Sequence, residues 1–179
     1  MRAVIDTNVL LVANGDHPEV SPECVTECVQ RLQAMEKSGV TVIDNGFRIL
    51  GEYQNKTSLK PPKGVGDVFL KWLLRQAGNP MRVEQISLVE LAENEFEEFP
   101  GIPMGSVFDS PDRKFVAVAN AHPDKPPIWQ AADCKWLDWW HDLKIEGIRV
   151  EFLCGKDVCR FYRNKFPSKP TPALPANHD

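Results

Sequence analysis

The sequence predicts an α/β fold of the doubly wound kind, and three observations carry that prediction. The chain opens on Ala3-Val4-Ile5, a continuous apolar run that passes straight into Asp6-Thr7-Asn8. Apolar character without alternation suits a strand covered on both faces, as in a parallel sheet. Further short β-branched or apolar runs stand at Val40–Ile43 and Ile128–Ala131, separated by stripes of helical spacing. Strand, helix, strand is the rhythm of an α/β domain.

Composition sets the bounds. A chain of 179 residues fits one domain able to bury a real core. Its net charge of -4 argues against a general polyanion binder, which leaves a basic footprint. No apolar run approaches a membrane span, and the N-terminus lacks the order of a signal peptide, so a cytoplasmic protein is expected. Cys24 and Cys28 share a helix face, Cys134 stands alone, and Cys154 and Cys159 flank a turn. None forms a CxxC pair, so reduced, mostly buried thiols are expected and a zinc site is not.

Asp-Thr-Asn is poor strand material and good helix-cap material, so strand one ends at Asp6 and a helix starts near Asn8. Gly15 and Pro18 mark a loop, after which Ser21 caps a helix opened by Pro22, with Cys24, Val25, Cys28, Leu32 and Met35 as its apolar stripe. Ser38-Gly39 ends it, Val40–Ile43 is the second strand, and Asp44-Asn45-Gly46 turns into a helix carrying Phe47, Ile49, Leu50, Glu52 and Tyr53. A loop over 58–66 with Lys60 and Lys63 leads to a helix with Phe69, Trp72, Leu73 and Ala77. Val83–Val89 reads as the third strand, Glu90–Phe99 as an acidic helix with Leu91 and Phe96 inward, and Pro100–Pro103 as a turn.

Ser110-Pro111 is a helix start with Asp112 in the first turn, and Ala117, Ala119 and Ala121 let that helix lie close to the sheet. Ile128–Ala131 is the fourth strand, with Asp133 just past it. A helix with Trp136, Leu137, Trp139, Trp140 and Leu143 follows, then a fifth strand at Ile148–Leu153. The domain is expected over 1–153. A basic helix with Lys156, Arg160, Arg163 and Lys165 covers 154–166, and a disordered proline-rich tail covers 167–179.

Four acids now fall at related places. Asp6 ends strand one, Glu52 lies on the helix after strand two, Asp112 opens the helix before strand four, and Asp133 follows strand four. If strands one and four are neighbours, Asp6 and Asp133 emerge together at the edge where open α/β sheets bind ligands. Each acid alone reads equally well as a helix cap or a favourable first-turn charge. Together they repel, and such a cluster is tolerable mainly around hard divalent cations. Oxygen-only ligation selects Mg2+ or Mn2+, the ions of phosphoryl chemistry.

Val4-Ile5-Asp6-Thr7-Asn8, Ile49-Leu50-Gly51-Glu52-Tyr53, Asp112-Arg113-Lys114-Phe115-Val116-Ala117-Val118-Ala119 and the acid after strand four resemble the PIN domain family in order and spacing. The resemblance spans Ala3 to about Leu153. It implies a three-layer α/β/α sandwich whose central parallel five-stranded sheet has the order 3-2-1-4-5. It also implies a Mg2+- or Mn2+-dependent endoribonuclease, a hydrolase of the kind that includes VapC-type toxins. On that resemblance Asp6, Asp112 and Asp133 are the principal metal-site acids, Glu52 is the additional carboxylate, and Thr7 and Asn8 support Asp6. RNA is the implied substrate, and an antitoxin protein and a homodimer are implied by analogy alone.

The chain departs from that family in two places. Ala131 stands where the family commonly has Thr or Ser, and Lys135 where it often has a further acid, with Asp138 farther along the same helix. These departures support an alternative, a PIN-like module that binds RNA or a protein without cutting. A haloacid-dehalogenase-type phosphatase would want a second Asp two residues after Asp6, and Asn8 stands there. Asp109 reads as a loop residue, and Lys56, Lys60, Lys63, Arg113 and Lys114 as a rim able to track phosphates. Trp136, Trp139 and Trp140 are candidates for base stacking or core. His17, His122, His141 and His178 fit surface roles.

Overall fold

Ala3, Val4 and Ile5 are fully buried because the strand they form, β1 (Arg2–Ile5), has a parallel partner on each side. In the computed structural model, which describes residues 1–58, 60–101 and 107–176, β1 lies between β2 (Val40–Asp44) and the strand Ile128–Gln130. Leu59, the later part of the turn expected at 100–103, and His178 fall outside the described residues. β3 (Val83–Ile86) pairs with β2, pairing Thr41 with Val83 and Asp44 with Ile86. The far edge is the strand Val150–Phe152, with Ile128 opposite Val150.

The expected 3-2-1-4-5 numbering needs correction. Residues 90–99, expected as an acidic helix, hold two short strands, β4 (Glu90–Ala92) and β5 (Glu95–Phe96), which pair antiparallel as a separate ribbon. The strands at 128–130 and 150–152 are therefore β6 and β7, and the sheet order is β3-β2-β1-β6-β7. The physical reason lies in Asn94, whose φ of 57° gives the left-handed turn a helix cannot hold. The Glu90 carboxylate accepts from Asn94 N at 3.2 Å and pairs with Arg48. Leu91 consequently points to solvent while Phe96 is buried.

Among the described residues the helices are α1 (Thr7–Ala13), α2 (Pro22–Ser38), α3 (Arg48–Lys56), α4 (Val65–Gln76), α5 (Arg113–Ala121), α6 (Trp136–Ile145) and, after the last strand, α7 (Gly155–Lys165). Ser21 caps α2 by accepting from Cys24 N at 3.2 Å, and its hydroxyl donates to Asp157 on α7 at 2.6 Å. α1, α2 and α4 pack on one another, and Gly66 permits it: a Cβ there would stand 2.2 Å from the Leu10 carbonyl oxygen. α5 packs across β1, β2 and β6, with Phe115, Val116 and Val118 fully buried. No helix among the described residues is long and apolar enough to cross a membrane.

Several local expectations are revised. Phe47 does not join the stripe of α3; it sits at φ 58° before the helix and is exposed. Instead Asp44, fully buried, holds the helix start by accepting from Arg48 N and Ile49 N, each at 2.9 Å. Trp136, Trp139 and Trp140 are all core, with Phe108 packed against the first two, so none is free to stack on a base. His122 is buried and bonded to Glu84 at 2.6 Å. The expected basic helix is α7, and the proline-rich segment after it is described to Ala176, with Trp140 Nε1 donating to the Ala173 carbonyl at 3.0 Å.

The cysteines also differ from expectation. Cys24 and Cys154 are joined in a disulfide across a sequence separation of 130. Spacing along the chain cannot show that the fold sets their Cα atoms 5.0 Å apart. Cys28 remains a thiol beside them. Burial, with Glu27 adding, pushes it up to about 12, so it is no thiolate poised against the disulfide.

Candidate functional site

β1 delivers Asp6 to the C-terminal edge of the sheet. Asp6 N donates to the Trp129 carbonyl at 3.0 Å, which keeps the chain against β6 as it leaves the sheet. The Asp6 side chain, 5% exposed, then caps α1 by accepting from Asn8 N at 2.9 Å. Asn8 extends the tie. Its Oδ1 accepts from Ala131 N at 2.9 Å and its Nδ2 donates to Gln130 Oε1, so the ends of β1 and β6 are bound side chain to strand. Thr7 serves a different acid from the one expected: its hydroxyl donates to Glu52, not to Asp6.

Asp133 leaves β6 three residues after Gln130 and accepts from Lys135 N at 3.0 Å, a local turn that starts α6. Asp112 closes the short 3-10 turn Ser110–Asp112 at the head of α5. Burial, the Asp133 charge and Glu52 push Asp112 up to about 7, against the pull of Lys114. Burial likewise raises Asp6 well above the carboxylate range, with Asp112, Asp133 and Glu52 adding and the Asn8 N–H opposing. Asp6 thus feels Asp112, Asp133 and Glu52, and Asp112 feels Asp133 and Glu52. They form one electrostatic group.

Asp6, Thr7, Asn8, Glu52 and Asp133 line a cleft of about 680 Å³, together with His17, Lys56, Phe161, Asn164 and Lys165. Asp112 is not in that lining. A larger groove of about 840 Å³ runs along β7 beside residues 174–176 and contains none of the four acids. Size alone would select that groove. Charge and position at the sheet edge select the smaller cleft.

The acids are not drawn together as on one ion. Among the described residues, the one group of three or more ligand-type side chains with all donor atoms within 4.8 Å of one another is Cys24, Cys28 and Cys154. Mutual repulsion explains why bare carboxylates stand apart. The donor set still fits a hard divalent cation: every donor is a carboxylate oxygen, and Asp6 and Asp112, raised first by burial, are raised further by neighbouring acids, with Lys114 opposing at Asp112.

Lys114 and Gln130 are the residues sequence reasoning placed poorly. Lys114, expected on a solvated rim, is 5% exposed, pairs with Glu52, and donates to the Pro111 carbonyl. Gln130 is fully buried at the site, and its Nε2 has no hydrogen-bond partner among the described residues. A polar residue inside Ile-Trp-Gln-Ala was the one available signal for it. Lys135, in the position of a further acid, pairs with Asp109. Asp138 is engaged elsewhere, accepting from the Tyr162 hydroxyl at 2.6 Å.

No protein-family model, no curated protein and no solved structure matches the chain.

Proposed function

We propose that the protein is a metal-dependent endoribonuclease with a PIN-like three-layer α/β/α domain. The observation that carries this reading is the electrostatic union of Asp6, Glu52, Asp112 and Asp133 at the C-terminal edge of a parallel sheet. Those four carboxylates would hold Mg2+ or Mn2+. The ion would supply Lewis-acid stabilisation of a phosphodiester and activation of the attacking water. Asn8 N–H and the Asn8 amide fix the Asp6 carboxylate against β6, and the Thr7 hydroxyl fixes Glu52. Lys56 and Lys165 in the cleft lining offer positive charge to the RNA backbone. An antitoxin protein and a second copy of the chain are the partners this reading carries, by analogy.

The test is cleavage of a labelled single-stranded RNA by wild type and Asp6→Asn, with Mn2+, with Mg2+ and with EDTA. The reading requires cleavage by wild type in metal only, and background cleavage by Asp6→Asn. Cleavage by Asp6→Asn at the wild-type rate sinks the residue assignment.

A second reading, RNA or protein binding without cleavage, is favoured by Lys135 occupying its position as a partner of Asp109 and by carboxylate oxygens that do not all lie within 4.8 Å of one another. It predicts RNA binding in EDTA with affinity unchanged in Asp6→Asn.

A further inference from the structure

Three sulphurs meet where α2 and α7 both begin. Cys24 lies in the first turn of α2, Cys28 one turn later on the same face, and Cys154 at the cap of α7. All three are buried, and their Sγ atoms lie within 4.8 Å of one another. Cys28 Sγ is 3.9 Å from Cys154 Sγ. A disulfide uses two sulphurs and leaves the third unexplained. A buried cysteine alone is only a small apolar side chain. A third sulphur held against two others is a ligand set.

We propose that Cys24, Cys28 and Cys154, once the disulfide is open, form a binding site for one thiophilic d10 cation, Zn2+ or Cu+. Opening requires a dithiol reductant, which passes two electrons and two protons to the Cys24–Cys154 bond and itself becomes a disulfide. Three thiols then stand side by side. As sulphur–metal bonds form, the thiol protons leave to solvent.

The donor chemistry selects the ion. Sulphur-only ligation favours soft cations over Mg2+ or Mn2+, so this site does not compete with the carboxylate cleft for metal. No His, Asp or Glu among the described residues completes the group. Cu+ is satisfied by two or three thiolates, while Zn2+ takes a fourth ligand from outside the three sulphurs. Burial holds the Cys28 thiol protonated in the metal-free chain, so its proton leaves only as the sulphur–metal bond forms. A bound ion would join α2 to α7 as the disulfide does. Oxidising conditions give a covalent tie, and reducing conditions a coordinate one.

The test is anaerobic titration of the fully reduced full-length chain with Zn2+ against a chromophoric chelator, and with Cu+ against a copper(I) chelator. Cys28→Ser is the decisive variant because it retains both disulfide sulphurs; Cys159→Ser is the control outside the group. Reduced wild type and Cys159→Ser should take one equivalent more than oxidised wild type, whose carboxylate cleft is the same in both redox states. Loss of an outer partner weakens a metal site about 10–100-fold, so losing a direct ligand in Cys28→Ser should weaken binding by more than about 100-fold. A second readout, independent of any variant's folding, is sulphur-to-Co2+ charge-transfer absorption by reduced wild type that oxidation abolishes. Equal affinity of Cys28→Ser and wild type, or no uptake of either ion by reduced wild type, would overturn the proposal, and absence of that absorption would overturn it for Zn2+.

Discussion

The ammonium of Lys114 is buried against the carboxylate of Glu52, within the electrostatic reach of Asp112. α5 and α3 thus each give one charge to a pair at the sheet edge, and the cation there is part of the chain. Breaking a buried pair costs about 3–5 kcal/mol, less where one partner keeps contact with water. Glu52 is 23% exposed.

Lys114→Met should therefore lower stability by about 1–3 kcal/mol near neutral pH, or roughly 2–12 °C in melting temperature for a chain of this size. The drop should shrink at acid pH, where the neighbouring carboxyls are protonated. Thermal melts in EDTA at two pH values measure it. An equal drop at both would mean that Lys114 acts by packing rather than by charge.

The pH dependence of stability has a definite sign. Asp6 is raised by burial and by its acidic neighbours, and Asp112 is raised from 3.8 to about 7. Through that window the folded chain binds protons that the unfolded chain has released, so stability falls as pH rises and the loss is complete above the folded value. Asp112→Asn should flatten the profile and raise the melting temperature of the metal-free protein at pH above about 7. Mn2+ should stabilise wild type strongly above that value and weakly in acid. A Mn2+ shift independent of pH would contradict the account.

Asp67 holds the loop before α4. Its carboxylate, 1% exposed, accepts from Ser58 N at 2.9 Å, Lys63 N at 2.7 Å and Asn14 Nδ2 at 2.8 Å. Burial opposes its charge, but those donors outweigh burial and hold its carboxyl below the usual range. Its stabilisation is therefore present above the ordinary carboxylate value and is lost as pH falls through the lowered one. Asp67→Ala should cost about 2–4 kcal/mol by chemical denaturation and expose the Lys63–Gly64 bond to trypsin. Wild-type resistance to trypsin in the variant would show that the loop is held by other contacts.

Much of the fold is legible in residues that have one physical solution. Val4-Ile5 and Val42-Ile43 are apolar on both faces, which only a covered strand satisfies, and Ser21-Pro22 can hardly do other than open a helix. Residues 90–97 were illegible because a charge run with Leu91 and Phe96 suits a helix face as well as a ribbon. The left-handed Asn94 and the reach of Glu90 to Arg48 decide it. Asp6 and Asp133 could be named from their positions after strands, and Glu52 and Asp112 from the resemblance of their helices to the PIN domain, but the burial of Lys114 could not, since Arg113-Lys114 looks like a solvated pair. The Cys24–Cys154 bond depends on the meeting of α2 and α7, which no local pattern encodes.

The most direct measurement is titration of the oxidised protein with Mn2+ at pH 8, comparing wild type with Asp6→Asn and Asp112→Asn by calorimetry. It needs no knowledge of the RNA. The account predicts saturable binding by wild type and a loss of more than about 100-fold in affinity in folded Asp6→Asn, since direct ligands outweigh outer partners. Failure of wild type to bind Mn2+, or equal binding by Asp6→Asn, would contradict the claim that these carboxylates form a metal site.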